Sequence, residues 1–230
     1  MVVKEISDKE LRGLLKSDIY KIGDTNQCYV DNDLFYKISR IYLYDLKTGY
    51  PNIRNYVNYD QICDLVEKQS RIKNTSLPLG VITHHTVPIG VIYKYHRGYN
   101  DFNTLSIENS DLILDNIRSA INNNLELMEH SIYNIDLCNK NILYNKNDVQ
   151  LIDLDGKYIK FNKNALDEQY FYFINSIFRI INAKLRSLYD PHTVNKIMDE
   201  ILDFYRDETV LEKEQPLKVV DKVEKMKVLK

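Results

Sequence analysis

Two short runs, Asn141–Tyr144 and Val149–Ile152, flank the tetrapeptide Asn145-Lys146-Asn147-Asp148 and constrain this chain more than any other stretch. The turn-forming tetrapeptide between largely apolar runs makes the pair read as a small hairpin. Polar residues gather at its mouth, Asp136 and Asn141 before the first run and Asp153 and Asp155 after the second. Closing the hairpin is expected to bring Asn141 close to Asp153, so that Asp136, Asn141 and Asp153 converge. Hard oxygen donors of this kind suit Mg²⁺, which takes one or two protein carboxylates and completes its shell with substrate phosphates. The plainer alternative is loop chemistry, because Asp and Asn are common turn residues.

The segment Asp136-Leu137-Cys138-Asn139-Lys140-Asn141-Ile142-Leu143 resembles the kinase catalytic loop, D-L-x-x-x-N-I-L. Leu151-Ile152-Asp153-Leu154 resembles the strand end that carries the D-F-G Asp, and the spacing between the two segments fits. The chain therefore looks like a small, divergent member of the protein-kinase-like superfamily, of a bacterial or phage type and nearer to the aminoglycoside- and choline-kinase style. The resemblance implies Asp136 as catalytic base and Asn141 and Asp153 as Mg²⁺ ligands.

Upstream, Tyr20 to Ile38 reads as successive strands, with Asp31-Asn32-Asp33 as a hairpin turn. Ile22-Gly23-Asp24-Thr25-Asn26 stands where the family's phosphate-covering loop belongs. It keeps one glycine, so Gly23 and Thr25 are the candidates to meet the phosphates of ATP. Phe35-Tyr36-Lys37-Ile38 looks like the V-A-I-K strand. Lys37 faces opposite to Tyr36 and Ile38, and the resemblance gives it the α/β-phosphates. Ser39 to Asn58 is polar, Tyr-rich and broken at Gly49-Tyr50-Pro51-Asn52, which suggests an inserted connection. Asn58 to Lys73 has helical spacing at Ile62, Leu65, Val66 and Ile72. Glu67 on that helix is either the partner of Lys37 or one more exposed charge.

Val81–Thr86 and Ile89–Tyr95 read as two strands broken at Val87-Pro88. His84 and His85 suggest a metal pair, but neighbouring strand residues point to opposite faces, so a structural role is expected. Ile92 to Gly98 resembles the inter-lobe hinge, which would set adenine against the backbone of Lys94, Tyr95 and His96. Ser110 to His130 is an amphipathic helix that delivers the chain to Asp136. Asn134-Ile135-Asp136 replaces the family's H-R-D or H-G-D. After Gly156 no long activation segment follows. Asp167 opens a helix that is apolar nearly all round, and it serves either as N-cap or as a support for the catalytic loop. Thr193 to Tyr205 is a further amphipathic helix. The charged tail from Arg206 reads as a surface helix or a protein-partner contact.

Length and charge bound the alternatives. The 230 residues, 44% hydrophobic, allow one large domain or two packed lobes. A net charge of −2 argues against a general nucleic-acid surface. No apolar stretch is long enough for a membrane span, and no signal-peptide core is evident, so a cytoplasmic protein is expected. The three cysteines are far apart and are expected to be reduced. The fold expected is α+β and two-lobed, protein-kinase-like, with residues 1–95 as N-lobe, 96–205 as a reduced, mostly helical C-lobe and 206–230 as tail. The activity expected is ATP- and Mg²⁺-dependent transfer to a hydroxyl of a protein or a small molecule. The alternative is a pseudokinase that binds nucleotide or scaffolds without turnover.

Overall fold

The computed structural model describes residues 2–17, 19–22, 25–49, 56–155, 159–161, 166–207 and 215–229. The chain is a mixed α+β structure that divides into two compact units. The first comprises the residues up to Arg97 and the segment that starts at Asp153; the second runs from Gly98 to Ile152 and resumes with the strand at Ile159.

The first unit is built on a six-stranded sheet. Its strands are β1 (Val2–Glu5), β2 (Ile19–Ile22), β3 (Asn26–Asp31), β4 (Leu34–Ser39), β5 (Gly80–His84) and β6 (Val87–Lys94), in the spatial order β1-β5-β6-β4-β3-β2. Only the β1–β5 pair is parallel. Helix α1 (Asp8–Lys16) starts at a capping box, in which the Ser7 hydroxyl accepts from the Glu10 amide and the Glu10 carboxylate accepts from the Ser7 amide. The expected β3–β4 hairpin turns at Asn32, whose φ of 55° is a left-handed value that Asn tolerates.

Both faces of the sheet are covered. Ile82 and Ile92 join Tyr36, Ile38 and Leu11 in one apolar cluster, whereas their neighbours Val81 and Val91 join Ile62 and Tyr93 in another. This is the period of two expected of strands, with an apolar layer on each side. It explains why all five residues of β5 are buried.

The connection from Ser39 to Asn58 carries a helix that was not expected. Residues Arg40–Thr48 form helix α2, and residues 50–55 lie outside the described set. The Ser39 hydroxyl accepts from the Tyr42 amide, Tyr42 and Leu43 are buried, and Gly49 ends the helix at φ 72°. Helix α3 (Tyr59–Lys68) is capped by Asn58 and buries Gln61, Ile62 and Leu65 beside β5. Ile62 and Leu65 are 1% and 0% exposed, and each contributes about 1.5–3 kcal/mol by leaving water. The break between β5 and β6 falls at His85-Thr86, not at the predicted Val87-Pro88, which lies inside β6.

The second unit is mostly helical. It contains β7 (Asn100–Asp101), a 3₁₀ turn over Phe102–Ile107, α4 (Ser110–Glu129) and β8 (Tyr133–Asn134). These are followed by β9 (Ile142–Tyr144), β10 (Val149–Leu151), β11 (Ile159–Lys160), α5 (Leu166–Leu188), α6 (Pro191–Asp207) and α7 (Gln215–Met226). The small strands pair as β10-β9-β7 and β11-β8. Helix α5 buries Phe173, Ile174, Ile177, Ile181 and Leu185, as its apolar sequence predicts; the side chain of Asp167 lies outside the described set. Pro191 occupies the first turn of α6, where its missing N–H costs nothing, and the Asp190 carboxylate accepts from the amides of His192 and Thr193.

The tail differs from expectation. Val219, Val220 and Val223 of α7 are buried, and the helix packs against α4 and α6. Its apolar stripe is satisfied inside this unit, with the charges on the outer side.

Candidate functional site

The expected hairpin forms, with Tyr144 opposite Val149 and Ile142 opposite Leu151. Asn145 shapes its turn, because Asn145 Oδ1 accepts from the amides of Asn147 and Asp148 at 2.8 and 2.9 Å. One step further, the Ile152 amide donates to the Asn141 carbonyl at 2.9 Å. The hairpin therefore fixes the backbone of Asn141 directly.

Asp136 and Asn141 are brought together inside the second unit. Asn141 is buried, and its Nδ2 donates to the Asp136 carbonyl at 2.8 Å, with Asp136 Oδ2 at 3.5 Å. With the nitrogen committed, the amide oxygen is the group left for a ligand. Leu137 is fully buried and anchors the loop, and Ser176 of α5 reaches the Leu137 carbonyl. A contact just upstream of Asp136, not expected from the sequence, holds its backbone. Asn134, held by β8–β11 pairing, accepts the Asp136 amide on its Oδ1 at 3.0 Å. The Asp136 carboxylate remains half-exposed.

Lys37, Asp153 and Asp155 come together inside the first unit. Lys37 lies opposite Val91 in the register of β4 and β6, on the side of the sheet that carries Phe35, Tyr93 and α3. Its ammonium donates to Asp155 Oδ1 at 2.7 Å and also to Asp153 Oδ1. The side chains of Lys37 and Asp155 are 14% and 9% exposed, whereas that of Asp153 is 39% exposed. Burial opposes the charge on Lys37, but the attraction of Asp155 and Asp153 outweighs it and raises the lysine above its ordinary value. Burial likewise raises the Asp155 carboxyl, against the pull of Lys37. Tyr93 is raised well above its ordinary value by burial and by the charges of Asp155 and Asp153. Asp153 adopts a φ of 64°, a left-handed conformation that Asp accepts more readily than bulky residues.

Glu67 does not pair with Lys37. The buried face of α3 is Gln61, Ile62 and Leu65, and a residue two places beyond Leu65 is turned about 200° around the helix. Glu67 is consequently exposed, and Asp155 takes the place predicted for it. Asp155 was visible in the sequence as part of Asp-Leu-Asp, but nothing local distinguished it from a loop carboxylate.

Of the three residues expected to face adenine, Tyr95 has its backbone already committed. The Tyr95 amide is spent on the Asp33 carbonyl at 2.8 Å, and its ring stands edge-on to Tyr20. Lys94 is exposed and its backbone pairs with Leu34; His96 is half-buried. Gly23 lies outside the described residues. Thr25 is exposed, its carbonyl accepts from the Arg40 amide and its hydroxyl accepts from Asn26 Nδ2.

No protein-family model matches the chain, and a search of curated proteins gives no match. No helix among the described residues is long and apolar enough to cross a membrane.

Proposed function

We propose that the chain is an ATP- and Mg²⁺-dependent phosphotransferase with a protein-kinase-like fold and a hydroxyl group as acceptor. The observation that carries this reading is the largely buried Lys37 of β4 held by Asp153 and Asp155, the pairing of a strand lysine with the acidic residues that follow the hairpin. The Asn141–Asp136 contact in the other unit supports it.

Asp153 offers a partly exposed carboxylate, a hard oxygen donor of the kind Mg²⁺ takes, and the amide oxygen of Asn141 in the second unit is a donor of the same chemical kind. When bound, the ion would neutralise charge on the phosphates of ATP. In this reading Lys37 gives its charge to the α/β-phosphates, held in position by Asp155. The half-exposed Asp136 carboxylate orients the acceptor hydroxyl and takes its proton. Asn134 keeps the backbone of that loop in place. Positioning and charge compensation supply most of the rate in chemistry of this type.

Calorimetry with Mg·ATP, followed by turnover assays across small-molecule and protein acceptors, tests the reading. Asp136→Asn is expected to lower turnover by roughly 10²–10⁴-fold, Asp153→Ala to abolish Mg²⁺-dependent binding, and Lys37→Ala to weaken ATP. Equal turnover in wild type and both aspartate variants would overturn the assignment. Tight Mg·ATP binding with no turnover above that of Asp136→Asn would instead support a nucleotide-binding module. The retention of a single glycine at Gly23 and the absence of a histidine before Asp136 favour that second reading.

A further inference from the structure

A second cluster of donor atoms lies at the end of β5 and depends on none of the roles assigned above. β5 ends at His84, and the chain turns into β6 through His85 and Thr86, with φ of 49° and 64°. Two successive left-handed residues form the tight hairpin turn for which Asn and Gly are the usual choices. His85 thereby leaves the alternation of the strand, and its ring folds back beside that of His84 with centroids 4.1 Å apart. The neighbouring β1 runs parallel, placing Glu5 opposite Thr83, and leads into α1 at Asp8. Asp8 Oδ1 is 2.8 Å from His84 Nε2 and 3.2 Å from His85 Nε2. One ligand atom from each residue lies within 4.8 Å of the others.

The cluster has a supporting layer. His84 is 1% exposed, and its Nδ1 is hydrogen-bonded to the Tyr42 hydroxyl from α2. The Tyr42 ring is wedged edge-on against Tyr56 at 5.1 Å. A bond of the second ring nitrogen to an oxygen is the usual means of orienting a ligating histidine. Glu5 adds a carboxylate to the rim, accepting from the Thr86 amide and the Thr83 hydroxyl. Asp8 and His85, with side chains 56% and 73% exposed, leave the outer side open to water.

We propose that Asp8, His84 and His85 form a binding site for a zinc-class divalent cation, with a fourth position open to solvent. Two imidazoles and one carboxylate are a donor set that suits zinc, whereas Mg²⁺ and Ca²⁺ demand more oxygens. Metal–ligand bonds of about 2.0–2.1 Å in a tetrahedron set the ligand atoms about 3.3 Å apart. The observed 2.8 and 3.2 Å need to widen by only tenths of an ångström. Without the cation, imidazole N–H groups hold the carboxylate through the same atoms, so protons and metal are alternative occupants of one geometry.

The test is calorimetric titration of the tag-free full chain with ZnCl₂ in a non-coordinating buffer, for wild type, His85→Ala and Asp8→Asn. Both substitutions are at exposed side chains, so the fold should survive them. Wild type is expected to take up one Zn²⁺ per chain, each variant to bind at least tenfold more weakly, and Zn²⁺ to raise the Tm of wild type alone. Co²⁺ should give the visible absorption of a four-coordinate ion in wild type, lost in His85→Ala. Absence of saturable uptake, or equal affinity in all three proteins, would overturn the proposal. So would uptake that is lost in Asp153→Ala and retained in His85→Ala, because the ion would then belong to the other carboxylates.

Discussion

Lys37 shows how one side chain depends on the precision of its strand. A buried ammonium is costly unless its partners are already in place. Asp153 and Asp155 meet that need, and the position of Lys37 is set by the pairing of β4 with β6. That pairing brings Gly90 so close to β4 that a Cβ added there would stand 2.5 Å from the Lys37 carbonyl oxygen and 3.2 Å from Ile38 Cα. Backbone atoms in the middle of a sheet cannot move aside as a flexible side chain can. Gly90→Ala is expected to cost about 1–3 kcal/mol, or more, by overpacking, and to shift Lys37. Urea unfolding measures the loss; unchanged stability would mean that the strands separate more easily than the geometry implies.

Helix α7 separates the charge pattern of an element from its packing. Arg118 of α4 bonds Asp221 and Glu224 at 3.0 and 2.5 Å, and Lys222 reaches Glu200 at 2.7 Å. These ion pairs lie at the surface and are screened, so each is worth about 0–1 kcal/mol. Val219 and Val220 are 0% exposed, and their burial holds the helix. Val220→Ala is expected to destabilise by about 1–3 kcal/mol, against less than about 1 kcal/mol for Arg118→Ala. Chemical denaturation of the two variants compares them directly. The reverse order would make α7 an electrostatically docked element. The sequence showed the same valines and charges, but a charged amphipathic stripe looks alike whether a partner protein or the chain's own α4 and α6 cover it. For α2 the signal was weaker still. Its caps at Ser39 and Gly49 were present, but two tyrosines and flanking polar residues hid the apolar face that Tyr42 and Leu43 supply.

At the scale of the whole molecule, the division into two units follows from two separate apolar interiors, a covered sheet in one and a helical stack in the other. No disulfide joins the three cysteines; Cys28 is buried and Cys63 and Cys138 are half-buried. Thiol titration should therefore count three reactive groups per chain in denaturant. Under native conditions Cys28 should be the slowest to react, and Cys28→Ser should remove that slow phase alone. A count below three in freshly unfolded, unreduced protein would indicate a disulfide.

The hairpin and the α4 and α5 helices were legible because their signals are local: periodicity and turn residues lie within one stretch of chain. The approach of Asn141 to Asp136 was legible for the same reason, since five residues separate them. Glu67 misled because helix membership does not say which face is buried; that is decided by the sheet beneath. Asp155 and Asn134 were overlooked because their roles depend on partners distant in sequence or on a neighbouring strand. His84 and His85 were set apart by strand alternation, a sound rule that fails where the second residue leaves the strand. The sequence by itself determined the hairpin, the α4 and α5 helices and the local order of the Asp136–Asp155 segment. The tertiary structure alone decided which carboxylates meet Lys37 and which side chains share Asp8. Such pairings depend on sheet register, turn conformation and burial, which arise only when segments far apart in the chain pack together.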